Sequence, residues 1–165
     1  MSVKFYKCQY CGNIVMMLED SGVVPSCCEE SMELLVPQTT DTMVDKHLPL
    51  TCCDKKNIVH VYVGKDPHPM TVEHHLSFIV LETTKGIQVH YLEAGELPKV
   101  DFKVCDENKP VAVYSYCNLH GLWAKEVNCK SDSNDKVECG QKEGCEDKED
   151  CAENDECAPK QECHI

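Results

Sequence analysis

The chain has 165 residues and a net charge of −13, with 14 cysteines and 8 histidines, and all 16 of its basic residues are lysine. The acidic balance disfavours a nucleic-acid partner, because phosphate binding requires clustered positive charge. No apolar run approaches the length of a membrane span, and the first residues lack the apolar segment of a signal peptide. We therefore expect a cytoplasmic protein with no membrane partner, in which many cysteines indicate metal or redox chemistry.

Composition divides the sequence into three predicted segments. Residues 1–36 contain little apolar material besides four cysteines, and a piece this small requires a metal or another cross-link to fold. Residues 37–127 contain the strand patterns. Residues 128–165 carry a net charge of −7 and almost no large apolar side chain, so we expect this tail to be disordered.

The first segment contains four cysteines in the pattern CQYC followed by CC, at Cys8, Cys11, Cys27 and Cys28. Four thiolates in a tetrahedral arrangement suit iron or zinc. Two adjacent cysteines cannot repeat the geometry of a CxxC turn, so the pattern predicts a distorted site. A redox-active iron, a structural zinc and a disulfide pair remain open at this point.

The second segment contains short runs of β-branched and aromatic residues that are separated by glycine, proline, aspartate or asparagine. The runs are NIVHVYVG, HLSFIVLET, IQVHYLE, VDFKVCD and PVAVYSYC. This pattern predicts strands with turns between them, and five such runs favour an all-β sandwich. No long helical periodicity competes with that prediction.

Most histidines of this segment lie at the ends of these runs or between them. They occur in DKHLP, PHPM, EHHL and CNLH, as His47, His68, His74, His75 and His120, with Cys117 three residues before the last. Neutral imidazoles suit iron, copper or zinc. Four imidazoles and one thiolate would occupy five positions of an octahedron and leave the sixth open to a small ligand. From spacing alone, ordinary surface or core histidines remain an alternative.

The order CxxC…CC, KHxP, HPM with a further histidine six residues on, and CNLHG resembles that of the desulfoferrodoxins, the two-iron superoxide reductases. The resemblance covers residues 1 to about 126. It implies a mainly β protein, with a rubredoxin-like metal domain at 1–36, an immunoglobulin-like β-sandwich at 37–127 and the tail at 128–165.

The same resemblance implies two iron ions and their ligands. An FeS4 centre would be held by the four cysteines of the first segment, and a catalytic iron by His47, His68, His74, His120 and the axial Cys117. His74, six residues past His68, is the match to the family pattern, so His75 is the additional histidine. Strand alternation supports this choice, because neighbouring residues of a strand point to opposite faces.

The function implied by the resemblance is one-electron reduction of superoxide to hydrogen peroxide. Rubredoxin or a similar donor would supply electrons, and the protein would be a homodimer. Lys46 matches the family's lysine that attracts superoxide, whereas Asp45 stands where the family usually has a glutamate able to bind oxidised iron, so its ligand role stays open. The alternatives are an iron electron-transfer protein without its own catalysis and a structural zinc-binding module.

The remaining cysteines have no counterpart in that pattern. Cys52, Cys53 and Cys105 are predicted to be buried or idle thiols. In the tail, Cys129 is followed by five cysteines at a six-residue period, from Cys139 to Cys163. Loose metal binding, disulfide formation under oxidative stress and the absence of a dedicated role remain open for the tail cysteines.

Overall fold

The computed structural model describes residues 3–40 and 44–129, which belong to one compact unit. The predicted tail lies outside these described residues, except for Asn128 and Cys129. The described part of the chain is mostly β-strand, with the single-turn helix α1 at Val44–His47. No helix within it has the length and the apolar character needed to cross a membrane.

The N-terminal segment folds into a three-stranded antiparallel sheet and a small hairpin. Its strands are β1 (Lys4–Lys7), β2 (Ile14–Met17), β3 (Ser26–Cys27), β4 (Glu30–Ser31) and β5 (Glu33–Leu35). The sheet has the order β2-β1-β5, and β3 pairs with β4. Its own buried core is limited to Tyr6, Cys8 and Met32, which agrees with the expectation that this segment depends on a bound metal.

The second segment forms a sandwich of two antiparallel sheets. Its strands are β6 (Pro49–Cys53), β7 (Ile58–Val63), β8 (Leu76–Thr83), β9 (Gly86–Tyr91), β10 (Lys99–Lys103), β11 (Pro110–Cys117) and β12 (Gly121–Glu126). One sheet has the order β10-β7-β6 and the other β12-β11-β8-β9. The predicted fold class is therefore confirmed, and all five predicted runs are strands, while β6 and β12 were not predicted.

The two strands β8 and β11 are covered on both faces. Toward the other sheet they bury residues such as Leu81 and Val113, and on the opposite face they contact the N-terminal segment. There Phe5 packs against Tyr114 and Phe78, with ring centroids 5.4 Å and 6.0 Å away. Burial on both faces explains why these two strands read as nearly continuous apolar runs. The N-terminal segment is thus seated on the strand that ends at Cys117.

Candidate metal centres

The first two cysteines of the N-terminal segment lie in a tight turn after β1. The backbone N–H of Gly12 donates to the carbonyl of Cys8 over 3.0 Å, and the N–H of Cys8 donates to the carbonyl of Asn13 over 2.8 Å. Gly12 has a φ of +79°, a left-handed conformation that glycine adopts without a steric penalty because it has no Cβ atom. The turn holds Cys8 buried and leaves Cys11 exposed.

The adjacent pair adopts a different backbone geometry, as predicted. Cys27 ends β3, and the two residues that follow, Cys28 and Glu29, have φ angles of +52° and +66°. Residues other than glycine rarely adopt such angles, and two in succession are unusual. The chain reverses here into β4, and both sulfurs of the pair come to lie near Cys11.

The distances within the four-sulfur group, which comprises Cys8, Cys11, Cys27 and Cys28, fit one metal ion. The sulfur of Cys27 lies 3.5 Å from that of Cys11 and 3.9 Å from that of Cys28, and all four sulfurs lie within 4.8 Å of one another. A tetrahedral metal with bonds of about 2.3 Å places its sulfur ligands about 3.8 Å apart. The group therefore has the size of an iron or zinc site.

The protonation of these thiols is also compatible with a site that binds a cation. Backbone N–H donation, chiefly from Cys11, lowers the pKa of Cys8 to about 6. Contact with Cys11 and the other sulfurs raises the pKa of Cys28 to about 12, because a second thiolate beside the first is disfavoured. A bound cation removes that repulsion and allows all four sulfurs to act as thiolates.

The second candidate centre is assembled from three parts of the sandwich. His47 is the last residue of α1, while His68 and His74 lie in the connection between β7 and β8. Cys117 ends β11, and His120 lies in the short turn before β12. These three parts of the chain are separated in sequence, and the fold of the sandwich brings their five side chains together.

The four imidazoles, here called the imidazole square, are arranged around a common centre. Neighbouring ring centroids are 4.7 Å apart for His47–His68, 4.7 Å for His68–His74, 4.8 Å for His74–His120 and 4.6 Å for His120–His47. Each neighbouring pair meets edge to face, whereas the diagonal pair His47–His74 is 6.1 Å apart and nearly parallel. Four nearly equal sides and a longer diagonal describe a square of rings.

The ring nitrogens of the imidazole square face its centre. The Nε2 atom of His47 lies 2.9 Å from the Nδ1 atom of His120, and adjacent nitrogens of an octahedral metal with bonds of 2.1 Å would be about 3.0 Å apart. The Nε2 atoms of His68 and His74 are buried without a hydrogen-bond partner among the described residues. Buried polar atoms normally have partners, so these nitrogens fit the role of metal ligands.

The chemistry of the donors supports the same conclusion. The Nδ1 atom of His68 lies 2.6 Å from the carbonyl of Pro69, so Nδ1 carries the proton and Nε2 keeps its lone pair. Burial lowers the pKa of His68 to about 4 and also lowers the pKa of His74. Both rings are therefore neutral near pH 7, as metal binding requires.

Cys117 completes this set from the interior of the protein. Its side chain is fully buried, and its sulfur lies 3.5 Å from the Nδ1 atom of His120 and within 4.8 Å of ligand atoms of His47, His68 and His74. Burial raises the pKa of the thiol, so a metal is needed to hold it as a thiolate. Four imidazoles and one thiolate fit iron.

A cleft of about 490 Å³ opens onto the imidazole square from the solvent. Its lining includes the exposed residues Asp45 and Lys46 of α1, together with Asp66, Pro69 and three of the imidazoles. Cys117 is not among the lining residues. The pKa of His74 is lowered by burial first, then by His120 and His75, and last by the positive charge of Lys46. A small anion entering the cleft would therefore meet a lysine beside the metal donors.

A glycine fixes the wall of this cleft. Gly64 has a φ of +87°, and a Cβ atom at this position would lie 2.5 Å from the carbonyl oxygen of Lys46 and 2.3 Å from that of Asp66. The carbonyl of Asp45 accepts hydrogen bonds from the N–H groups of Lys65 and Asp66. The loop after β7 is thus held against the helix that carries Lys46 and His47, and only glycine fits this approach.

Three residues that sequence reasoning missed position the histidines. The side-chain amide of Gln38 donates to the carbonyl of His120 over 2.8 Å, and the hydroxyl of Ser115 donates to the carbonyl of His47 over 3.1 Å. Trp123 stacks on the ring of His47. Trp123 is the chain's single tryptophan, which was a usable signal, whereas nothing in the sequence distinguished Gln38 or Ser115.

A fourth such residue, Asn118, joins the turn that carries His120 to the loop that carries His74. Its Oδ1 atom accepts a hydrogen bond from the N–H of His75 over 3.0 Å, and its Nδ2 atom donates to the carbonyl of Glu73 over 2.9 Å. The backbone of His75 is used in this way, and its ring does not belong to the imidazole square. The structure therefore brings His74 rather than His75 to the square.

One prediction for the remaining cysteines was wrong. Cys53 is not an idle thiol but forms a disulfide with Cys129, which the sequence could not indicate because 76 residues separate the two. Cys105 is exposed rather than buried, and Cys52 is partly buried. The tail cysteines after Cys129 lie outside the described residues.

Comparison with known proteins identifies the family. The desulfoferrodoxin family model matches residues 39–126, and the model of the desulfoferrodoxin N-terminal domain matches residues 2–35. The chain belongs to the desulfoferrodoxin family. The resemblance drawn from the cysteine and histidine motifs is therefore confirmed.

Individual desulfoferrodoxins resemble the chain over most of their length. Those of Syntrophotalea carbinolica and Nitratidesulfovibrio vulgaris are both 36% identical to it over 124 residues, covering 75% and 74% of this chain and 96% and 95% of the relatives. The crystal structure of the superoxide reductase from Treponema pallidum is 29% identical with a TM-score of 0.66, covering 76% of this chain and 98% of that one.

Proposed function

We propose that this chain is a superoxide reductase, which combines superoxide, one electron and two protons to give hydrogen peroxide. The observation that carries the proposal is the imidazole square, with a buried thiol beside it and an open cleft containing a lysine. The superoxide reductase of Treponema pallidum, which is similar over most of this chain, supports the same activity.

In this proposal the four nitrogens of the imidazole square and the sulfur of Cys117 hold one iron ion. Ferrous iron, when bound by these donors, supplies the electron that reduces superoxide. The cleft is the route by which a small anion would reach an iron held by these donors. The hydrogen bond from His68 to Pro69 and the stacking of Trp123 on His47 keep two of the rings in place.

Cys117 acts as an electron-donating ligand. The thiolate of Cys117 would supply electron density to an iron held here and would favour its oxidation. The complete burial of Cys117 keeps water and oxidants away from its sulfur. Reaction is thus directed to the cleft, while the sulfur remains reduced and ligated.

Lys46 attracts the substrate. Superoxide is an anion, and the net charge of −13 repels it at long range, so a local cation at the entrance must outweigh that repulsion. The exposed ammonium of Lys46 can hold the anion in the cleft by a charge-assisted hydrogen bond, and water in the open cleft supplies the protons. Asp45 lines the same cleft, and its role as a ligand of oxidised iron stays a prediction.

The four-sulfur group would hold the second iron and pass electrons toward the first. Rubredoxin or a similar small protein is the proposed electron donor. The proposed location is the cytoplasm, and the chain is proposed to be a homodimer.

We propose that the domains are residues 1–36, 37–127 and 128–165, as the sequence predicts. The seating of Phe5 on β11 and β8, beside the strand that ends at Cys117, supports a fixed arrangement of the two metal-binding segments.

The experiment that tests the proposal adds known amounts of superoxide to anaerobically reduced protein. Peroxide, dissolved oxygen and the visible spectrum of the iron are followed together. A reductase gives one peroxide for each superoxide consumed and releases no oxygen. Half that yield with oxygen evolution would indicate dismutation, and iron that stays reduced during the addition would leave only electron transfer between proteins.

A further inference from the structure

The disulfide between Cys53 and Cys129 lies outside both metal-binding groups. Cys53 is the last residue of β6 and packs against the main core of the sandwich. Cys129 is exposed and follows the buried Val127 by two residues, with a Cα–Cα distance of 5.5 Å across the disulfide. One cysteine is therefore anchored in the fold, and the other is an exposed residue.

The disulfide is not explained by the activity of the family. The desulfoferrodoxin family model ends at residue 126, whereas Cys129 lies three residues beyond it and residues 130–165 follow. The pair thus connects a strand of the shared sandwich to the part of the chain that the family model does not match. His47 lies just before the five-residue strand β6 and Cys53 is its last residue, about 13 Å along the strand from Pro49, so the disulfide lies at the end of β6 away from the imidazole square.

We propose that Cys53 and Cys129 form a reversible thiol–disulfide pair that is closed by hydrogen peroxide. The inference rests on the proposed function in two respects, because peroxide is the product of superoxide reduction and because the proposed cytoplasmic location is reducing. In a reducing compartment a persistent structural disulfide is unusual, and the disulfides found there are mostly transient or redox-sensing. The exposed position of Cys129 suits such a role.

The chemistry balances without a further oxidant. The thiolate of Cys129 attacks peroxide, the O–O bond breaks, and a sulfenic acid forms while the second oxygen leaves as water after taking a proton. The thiolate of Cys53 then attacks the sulfenic sulfur, the S–S bond forms, and the remaining oxygen leaves as a second water. Two thiols and one peroxide give one disulfide and two waters, and an external dithiol reopens the link at the exposed sulfur.

Peptide mapping of the full-length, iron-loaded protein tests the pair directly. The protein is reduced with dithiothreitol, desalted without oxygen and treated with one equivalent of hydrogen peroxide before alkylation. Trypsin then releases residues 47–55 and 126–130 as separate peptides, or as one linked species. We expect the linked species after peroxide and its loss after renewed dithiothreitol. Peptides that stay separately alkylated after peroxide would overturn the proposal, as would a link that dithiothreitol does not open in the folded protein.

Matched variants show which sulfurs react. Because Cys52 and Cys53 lie in the same tryptic peptide, Cys52→Ser is the control and should still form the link. Cys129→Ser, at an exposed position that tolerates serine, should lose the link and keep the spectra of both irons. The assigned pair would be contradicted if residues 47–55 became linked to another cysteine in Cys129→Ser. It would also be contradicted if the link between residues 47–55 and 126–130 were lost in Cys52→Ser.

A second arm separates this inference from the proposed function. Superoxide also dismutates to peroxide and oxygen without an enzyme, so the activity and the pair need separate measurements. Added peroxide alone tests the pair, and the yield of one peroxide for each superoxide without oxygen release tests the activity. If added peroxide closes the link but superoxide gives half a peroxide with oxygen evolution, the pair stands and the proposed activity is contradicted. If superoxide gives one peroxide without oxygen while added peroxide does not close the link, the activity stands and the pair is refuted.

Discussion

The ring of Trp123 lies flat against the ring of His47, with centroids 4.9 Å apart and planes inclined by 17°. Trp123 is almost fully buried in β12, so it forms a fixed wall behind one side of the imidazole square. Because the ring of Trp123 covers one face of the His47 ring, the imidazole cannot rotate unless Trp123 also moves. The orientation of this metal donor is therefore set by core packing.

Replacing Trp123 with alanine should disturb both the core and the imidazole square. Removing a buried tryptophan side chain typically costs about 3–5 kcal/mol of unfolding free energy, and His47 would lose its stacking partner. Trp123→Phe keeps an aromatic ring on His47 and serves as the control. We expect urea denaturation and the visible iron spectrum to change strongly in Trp123→Ala and much less in Trp123→Phe. Equal iron spectra in both variants would show that stacking does not orient His47.

Gln38→Ala should weaken iron binding without unfolding the sandwich. Its side-chain amide holds the carbonyl of His120, and removing a residue that orients a metal ligand typically lowers metal affinity by about 10- to 100-fold. Gln88→Ala is the matched control, because Gln88 also donates to a backbone carbonyl, that of Lys103, over 2.9 Å. Chelator competition measures the rate of iron loss. The prediction fails if both variants lose iron at the same rate.

Lys46→Ala should slow the reaction with superoxide while leaving the iron spectrum nearly unchanged. The lysine lies in the cleft and not in the set of metal donors. Local steering of a charged substrate changes association rates by tenfold or more, so we expect roughly a tenfold decrease at low salt. The difference should shrink as salt screens the charge.

The control for this substitution is Lys103→Ala, which removes the same charge from an exposed position on β10. Pulse radiolysis of both variants at two ionic strengths provides the comparison. A local role for Lys46 requires that only its variant is slowed. Equal rates in the two variants would mean that the net charge of the protein, and not the position of the lysine, controls encounter with superoxide.

Cys28→Ser should remove the colour of the four-sulfur centre and loosen only the N-terminal segment. The small core of that segment gives it little stability without the metal, so amide hydrogen exchange should accelerate in β1, β2 and β5. The sandwich has its own core, and its iron spectrum should persist. Cys105→Ser, at an exposed position outside both candidate centres, should alter neither exchange nor spectra. Loss of both iron centres in Cys28→Ser would contradict the independence of the two segments.

The sequence predicted the candidate metal-binding residues better than the residues that hold these side chains in place. Spacing alone left ordinary histidines open, and it was the resemblance carried by the cysteine and histidine motifs that named the residues which the structure brings together. Gln38 and Ser115 could not be found, since each acts on a carbonyl more than sixty residues away. Strands β6 and β12 were missed for a related reason: PLTCC and GLWAKE have weak alternation and owe their pairing to β7 and β11.

The last prediction concerns a buried hydrogen bond between β11 and β8 at high pH. The hydroxyl of Tyr114 donates to the buried carboxylate of Glu82 over 2.8 Å, and burial followed by that hydrogen bond raises the pKa of Tyr114 above its usual value of about 10. The folded state thus favours the neutral phenol, while the unfolded chain ionises near pH 10. The stabilisation that the neutral phenol of Tyr114 gives to the folded state is fully present below about pH 10 and is lost as the pH rises further.

Tyr114→Phe should therefore unfold with a weaker pH dependence above pH 10 than the parent protein. It should also be less stable at pH 8 by about 1–3 kcal/mol, because Glu82 loses its buried donor. Tyr91→Phe is the control, since Tyr91 is 76% exposed and should leave the alkaline slope unchanged. Urea denaturation at several pH values measures both effects. If the slopes of Tyr114→Phe and Tyr91→Phe are equal, the buried pair does not couple the fold to alkaline pH.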